Sequence, residues 1–108
     1  MDAIASESVV FVRGEQREVG VIAIGRPYQV DDRQASCELT VGSETRRNHG
    51  ASPLQALLLA LQDAGFRLHD LQRKGWRLRH PDGEPFVAKT FFGPLLRAAP
   101  RPAKKRRR

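Results

Sequence analysis

The fold is decided by residues 50–72, which read GASPLQALLLALQDAGFRLHDLQ. Ser52 is a favourable N-cap, Pro53 takes the first helical position, where its missing N–H costs nothing, and Gln55 stands three residues after the cap. This combination predicts a helix that starts at Ser52 and runs to about Gln72. The side of this helix that is predicted to face a sheet collects Leu54, Leu57, Leu58, Leu61, Ala64 and Leu68.

Short apolar runs before the helix predict strands. Two such runs lie at residues 8–12 and 18–24. Two further strands are predicted by alternation, at residues 35–41 before the helix, where Ala35, Cys37, Leu39 and Val41 fall on one face, and at residues 76–80 after it. Residues 42–50 (GSETRRNHG) have no apolar period and are predicted to form a loop, while residues 86–92 are candidates for a last short strand. The order β-β-β-α-β, with or without that last strand, predicts a two-layer α+β fold. In this fold, one main helix packs on one face of a small antiparallel sheet.

All of the surplus positive charge lies at the C-terminal end. The 108 residues include 19 Lys and Arg against 12 Asp and Glu, a formal net charge of +7, and residues 97–108 hold seven of the basic residues and no acid. Residues 1–96 are therefore formally neutral. We expect a flexible N-terminus over residues 1–7, a single α+β domain over 8–92 and a disordered basic tail over 93–108.

The composition offers no catalytic or metal-binding constellation. Cys37 is the only cysteine, the three histidines are scattered, and no nucleophile stands in a context that would activate it. We therefore predict no catalytic residue, no metal and no cofactor, and we do not expect an enzyme. The acidic start does not resemble a signal peptide, and the longest apolar run, residues 56–61, is too short for a transmembrane segment. These features predict a cytoplasmic protein.

Two residues of the helix are candidates for a partner surface. Leu59 lies between Gln55 and Gln62 on the side predicted to be polar, and Phe66 comes round to the same stripe. Such a pair is typical of a contact with another protein or with a second copy of the chain. The alternatives are a cover supplied by another segment of the chain, or an isolated exposed leucine of the kind that is common on protein surfaces.

Arg46, Arg47 and His49 are weak candidates for an anion site. They come just before the predicted helix N-terminus, where free N–H groups and the helix dipole favour negative charge. The alternative is a solvated basic loop.

The basic tail is the candidate contact for nucleic acid. Its charges suit three roles: nonspecific binding to phosphates, a targeting signal that resembles a nuclear-import sequence, or a contact with a membrane surface. The alternative is a solubilising terminus without a dedicated partner. The residues concerned are Arg101, Lys104, Lys105, Arg106, Arg107 and Arg108.

Three stretches carry a resemblance to a known family: Ile24-Gly25-Arg26-Pro27, the strand that contains Cys37, and Gly50-Ala51-Ser52-Pro53-Leu54-Gln55-Ala56-Leu57 with Leu59-Ala60-Leu61. Over residues 9–86 the chain resembles a family of small bacterial proteins catalogued as a domain of unknown function. The resemblance implies a compact, β-rich cytosolic domain with one helix. It implies no activity, cofactor or catalytic residue, and it does not extend to residues 93–108.

These observations favour a non-enzymatic binding or interaction module, whose partner is an unknown protein or a second copy of the chain. The main alternative is a nucleic-acid-associated accessory protein that binds phosphates through the tail. A small enzyme is the least supported class, because no acid–base pair or nucleophile can be named.

Overall fold

The computed structural model describes residues 2–87 and has an antiparallel sheet with one helix packed against it. The predicted α+β class is therefore confirmed. The elements are β1 (Ala3–Arg13), β2 (Gln16–Gly25), β3 (Tyr28–Gln29), β4 (Ala35–Gly42), β5 (Glu44–Gly50), α1 (Pro53–Arg73) and β6 (Arg77–Arg79). Across the sheet the strands follow the order β5-β4-β2-β1-β6, and the short β3 pairs with the first residues of β4.

The predicted loop at residues 42–50 is wrong, because most of it forms β5. Gly42, at φ +68°, takes the first position of a two-residue turn, and the strand then pairs with β4 from Glu44 to Gly50. Successive side chains of a strand point to opposite faces, and in β5 both faces are polar. The alternation that reveals a strand was therefore absent from its sequence. With the two-residue β3, the predicted order β-β-β-α-β becomes five strands, a helix and a sixth strand.

The N-terminus also differs from the prediction, since residues 3–7 belong to β1 rather than to a flexible segment. Their side chains are exposed, but their backbone pairs with the end of β2. The Arg26 N–H donates to the carbonyl oxygen of Asp2 at 2.8 Å, and Arg26 Nε donates to the Asp2 carboxylate at 3.0 Å. Backbone pairing and this ion pair hold a segment that has no core residues of its own.

At the other end, residues 86 and 87 lie outside any strand, and Pro85 forms an isolated bridge to Arg79. The remainder of the predicted last strand, residues 88–92, and the predicted tail lie outside the described residues.

The predicted helix start is confirmed. Ser52 is the N-cap, and its Oγ accepts a hydrogen bond from the Gln55 N–H at 3.2 Å. The Gln55 side chain reaches back to the N–H of Ala51, one residue before the cap, so the reciprocal bond of a capping box is displaced by one residue. Gly65 lies inside the helix, which ends at Arg73.

The predicted buried face of the helix is partly wrong. The buried residues of α1 are Ala56, Ala60, Ala64, Gly65 and Leu68, whereas Leu54 and Leu58 are 65% and 46% exposed. The small residues allow the helix backbone to approach the sheet closely, and a Cβ on Gly50 would lie only 2.7 Å from the Ala56 nitrogen. The other members of the core cluster on this side of the sheet are Val9, Phe11, Ile22, Ala35, Cys37, Leu39, Val41, Leu78 and Phe86.

Candidate functional site

The outer side of α1 presents an apolar surface without charge. Between Pro53 and Phe66, none of the exposed residues is charged, and Leu59 and Phe66 are 37% and 44% exposed. Both were predicted as a partner surface, and the structure places them on the same exposed side as Leu54 and Leu58. We define the helix surface as Leu54, Gln55, Leu58, Leu59 and Phe66.

Leu54 and Leu58 were missed because large apolar residues were assigned to the sheet. Ala56, Ala60 and Ala64 recur every four residues and form a second stripe that the sequence already contained. If the alanine stripe is taken as the buried face, Leu54 and Leu58 fall on the exposed side of α1.

A cleft of about 500 Å³ adjoins the helix surface at Phe66. It lies between the C-terminal half of α1 and the turn that joins β4 to β5. Its apolar wall is formed by Phe11, Phe66, Leu71 and Trp76. The helix surface and the cleft thus share one aromatic residue and form a continuous candidate site.

Four charged side chains form one side of the cleft and join β5 to α1. Arg46 Nε lies 3.4 Å from the Glu44 carboxylate, and Arg46 Nη1 lies 4.0 Å from the Asp63 carboxylate. Arg67 lies 3.2 Å from the Glu44 carboxylate and 3.8 Å from that of Asp63. We call these four residues the ion cluster. Two cations face two carboxylates, so its formal charges balance.

Arg67 is the most buried member of the ion cluster, with a side chain only 9% exposed. Its Nη2 donates to the carbonyl oxygen of Glu44 at 3.0 Å and to the Glu44 carboxylate at 3.2 Å. Within residues 2–87, the buried Nη1 has no hydrogen-bond partner. Burial lowers the pKa of the Arg67 guanidinium, and the nearby charge of Arg46 lowers it further. Sequence reasoning missed Arg67, because nothing in its local pattern separates it from a solvated helix arginine.

The residues predicted as an anion site do not converge. They lie on β5 rather than in a loop, and Arg46 points to the opposite face of the strand from Arg47 and His49. Arg47 lies 3.6 Å from the Glu38 carboxylate, and His49 Nδ1 forms a 2.9 Å hydrogen bond with the Ser36 hydroxyl. Each of the three side chains therefore already has a polar partner.

Other predicted features have a simpler outcome. The tail residues Arg101, Lys104, Lys105, Arg106, Arg107 and Arg108 lie outside the described residues. Among residues 2–87, no group of three or more His, Cys, Asp or Glu side chains is placed to hold a metal ion. In the same part of the chain, no helix combines the length and apolar character that crossing a bilayer requires.

The fold and site together define an α+β domain with an uncharged helix surface beside an arginine-lined cleft. No protein-family model, curated protein or solved structure matches the chain. The resemblance to the small bacterial family therefore stays a prediction.

Proposed function

We propose that this protein is a non-enzymatic interaction module that binds another protein through the helix surface. The observation that carries the proposal is the exposure of four large apolar side chains along a stretch of α1 whose exposed residues carry no charge, namely Leu54, Leu58, Leu59 and Phe66. Depletion of charge and the presence of aromatic residues are typical of the centre of a protein interface.

The surface also has a position that suits this role. Full burial of a leucine or phenylalanine side chain contributes on the order of 1.5–3 kcal/mol of stabilising free energy. The four side chains are only partly buried, so a partner that covers them gains the remainder as binding free energy. The alanine stripe on the opposite side attaches α1 to the sheet, so the outer side chains are free to contact a partner. That partner is a second copy of the chain or a different protein, and we place the encounter in the cytoplasm.

The proposal is tested by the size of the native complex in a cell extract. We expect the full chain to elute from a sizing column ahead of its monomer, and Leu59→Glu to elute as the monomer. Val19→Glu is the matched control, since Val19 is 79% exposed on β2, away from the helix surface. Elution of the unmodified chain as a monomer, or of Leu59→Glu with the larger complex, would show that the proposal is wrong.

A second candidate function, nonspecific binding to nucleic acid, is favoured by the segregation of charge. Residues 97–108 hold the whole formal surplus of +7. If the tail neutralised about five phosphates of duplex DNA, the plot of log affinity against log salt would have a slope of about −4.5. Replacing Lys104, Lys105 and Arg106 by Gln in the full chain should reduce that slope by about 2.7. An unchanged slope would exclude the tail as the binding element.

A further inference from the structure

We infer that β5 binds an extended segment of a different protein, which adds to the sheet as a further antiparallel strand. The inference rests on the proposed function and deepens it, because it names the backbone conformation and the side-chain chemistry by which the partner is recognised next to the helix surface.

β5 has an open backbone edge. It pairs with β4 on one side, and no strand within residues 2–87 pairs with its other side. The two-residue turn makes Val41 and Glu44 a hydrogen-bonded pair, and such pairs alternate along an antiparallel ladder. Thr45, Arg47 and His49 therefore direct their N–H and C=O groups away from the sheet. This row of donors and acceptors matches the backbone of an added strand.

The side chains of β5 leave this edge accessible. Outer strands are commonly protected by proline, by a bulge or by charged side chains. β5 contains no proline, and its register with β4 is continuous. The Arg47 guanidinium lies 3.6 Å from the carboxylate of Glu38, and His49 Nδ1 lies 2.9 Å from the hydroxyl of Ser36. Both partners stand directly opposite on β4, so the two side chains reach inward across the sheet.

The outer strand at the other end of the sheet is a poorer template. β6 has three residues, and its far side is already in use by the chain itself. Pro85 forms a bridge to Arg79, and the Phe86 N–H donates to the carbonyl oxygen of Leu78 at 2.9 Å. The longer β5, with seven residues, therefore offers more backbone groups to a partner.

Leu59 connects this edge to the helix surface. The Asp63 carboxylate lies 3.5 Å from Asn48 Nδ2 and 4.0 Å from Arg46 Nη1, so this side of α1 lies above β5. Leu59 precedes Asp63 by four residues and lies on the same side of the helix, where it is 37% exposed. An added strand directs alternate side chains toward α1. Apolar side chains at those positions would extend toward Leu59.

Charge distinguishes a different protein from a second copy of the chain. Pairing β5 with the β5 of a second copy would place two strands that each carry Arg46 and Arg47 side by side, and like charges oppose such pairing. Acidic side chains beside Arg47, on the face away from α1, are favourable. The partner segment therefore alternates acidic and apolar residues.

The test uses two isomeric peptides with the full chain. Both have the sequence acetyl-Val-Glu-Val-Glu-Val-Glu-Val-amide, and three nitrogens are methylated, either those of the glutamates or those of the last three valines. In the added strand the glutamate N–H groups point to β5 and the valine N–H groups point away from it. Methylation of the glutamates should therefore weaken binding at least about tenfold, through the loss of three donors.

NMR of the ¹⁵N-labelled chain measures the binding and locates it. The peptide methylated at valine should shift the amide signals of residues 44–50 saturably. It should also slow amide hydrogen exchange at Thr45, Arg47 and His49, whose N–H groups are free in the unbound chain.

Variants of Arg47 test the backbone contact separately from charge. Arg47→Pro removes an outward N–H that makes no bond to β4, and it should weaken binding of the valine-methylated peptide about tenfold. Arg47→Val is the matched control, since it loses the same charge and keeps the N–H, and it should retain most of the binding. The comparison of the two peptides on the unmodified chain keeps the test decisive where Arg47→Pro fails to fold.

The inference is overturned by no saturation up to the solubility limit of the valine-methylated peptide, by binding of the glutamate-methylated peptide that is equal or stronger, or by equal binding to Arg47→Pro and Arg47→Val. Signals of β5 that shift with the concentration of the chain alone would identify a second copy as the occupant and overturn it as well. A chain that forms the larger complex in extract but does not bind the peptide would refute the inference alone. A chain that binds the peptide but elutes as a monomer would refute the proposed function alone.

Discussion

The Nη2 atom of Arg67 donates to the backbone carbonyl oxygen of Glu44 at 3.0 Å and so joins the second half of α1 to the first residue of β5. β5 is an outer strand that contributes no large apolar side chain to the core. This hydrogen bond therefore helps to hold β5 against the rest of the domain, a role that buried apolar side chains have in the other strands.

We expect Arg67→Met to lower the free energy of unfolding by about 2 kcal/mol. Removing one partner of a buried pair leaves the facing carboxylates uncompensated, and the exposure of Glu44 moderates that cost. Lys74→Met is the control, since the Lys74–Asp70 pair is exposed and its loss should cost at most about 0.5 kcal/mol. Urea unfolding measures both, and equal effects would contradict a special role for Arg67.

The alanine stripe of α1 should tolerate no added volume. Ala60→Leu is expected to cost about 1–3 kcal/mol, because Ala60 is fully buried where the helix meets the sheet. Leu58→Gln, on the exposed side, should change stability by less than about 0.5 kcal/mol. Thermal unfolding of the two variants shows which face of α1 packs against the sheet. A larger loss in Leu58→Gln would mean that the leucines, and not the alanines, face the sheet.

Gly50 is a second point of close approach. A Cβ at this position would meet the Ala56 nitrogen at 2.7 Å and the Gln55 carbonyl carbon at 3.0 Å, and both are backbone atoms that cannot turn aside. We expect Gly50→Ala to destabilise the fold by about 1–3 kcal/mol. Ala51→Ser, at the exposed neighbouring residue, should be close to neutral. Chemical denaturation gives both values, and a neutral Gly50→Ala would show that the helix start lies farther from β5.

The pH dependence of Asp70 follows from its contact with Lys74. The hydrogen bond from Lys74 is the largest cause that lowers the pKa of the Asp70 carboxyl below its ordinary value. A carboxyl whose pKa is lower in the folded state stabilises the fold above its unfolded pKa, and this contribution is lost as the pH falls through the folded pKa. NMR titration of the Asp70 side chain should show the low value. Lys74→Gln should move it upward, and an unchanged pKa in that variant would contradict the assigned cause.

The sequence was sufficient wherever one local rule determined the outcome. The Ser52 cap and Pro53 placed the helix start, and the alternation of Ala35, Cys37, Leu39 and Val41 located β4. Both signals arise within a few residues, and nothing in the tertiary structure opposes them.

The rest could not be predicted because it depends on tertiary neighbours. β5 is a strand only because β4 lies beside it and the ion cluster joins it to α1, since its own side chains are polar on both faces. The buried side of α1 is set by how closely its backbone approaches Gly50, and this distance favoured alanines over leucines. Arg67 becomes distinctive only once Glu44, 23 residues earlier in the chain, has been brought beside it.

The central claim, that the helix surface binds a protein, is tested most directly by photo-cross-linking in cells. A photoreactive amino acid would replace Leu59 in one chain and Val19 in another, and the covalent products would be compared by mass. The account predicts a discrete product from position 59 that is absent from position 19 and disappears when Phe66→Glu is added. A chain that carries the photoreactive group at position 59 and gives no product beyond that from position 19 would contradict it.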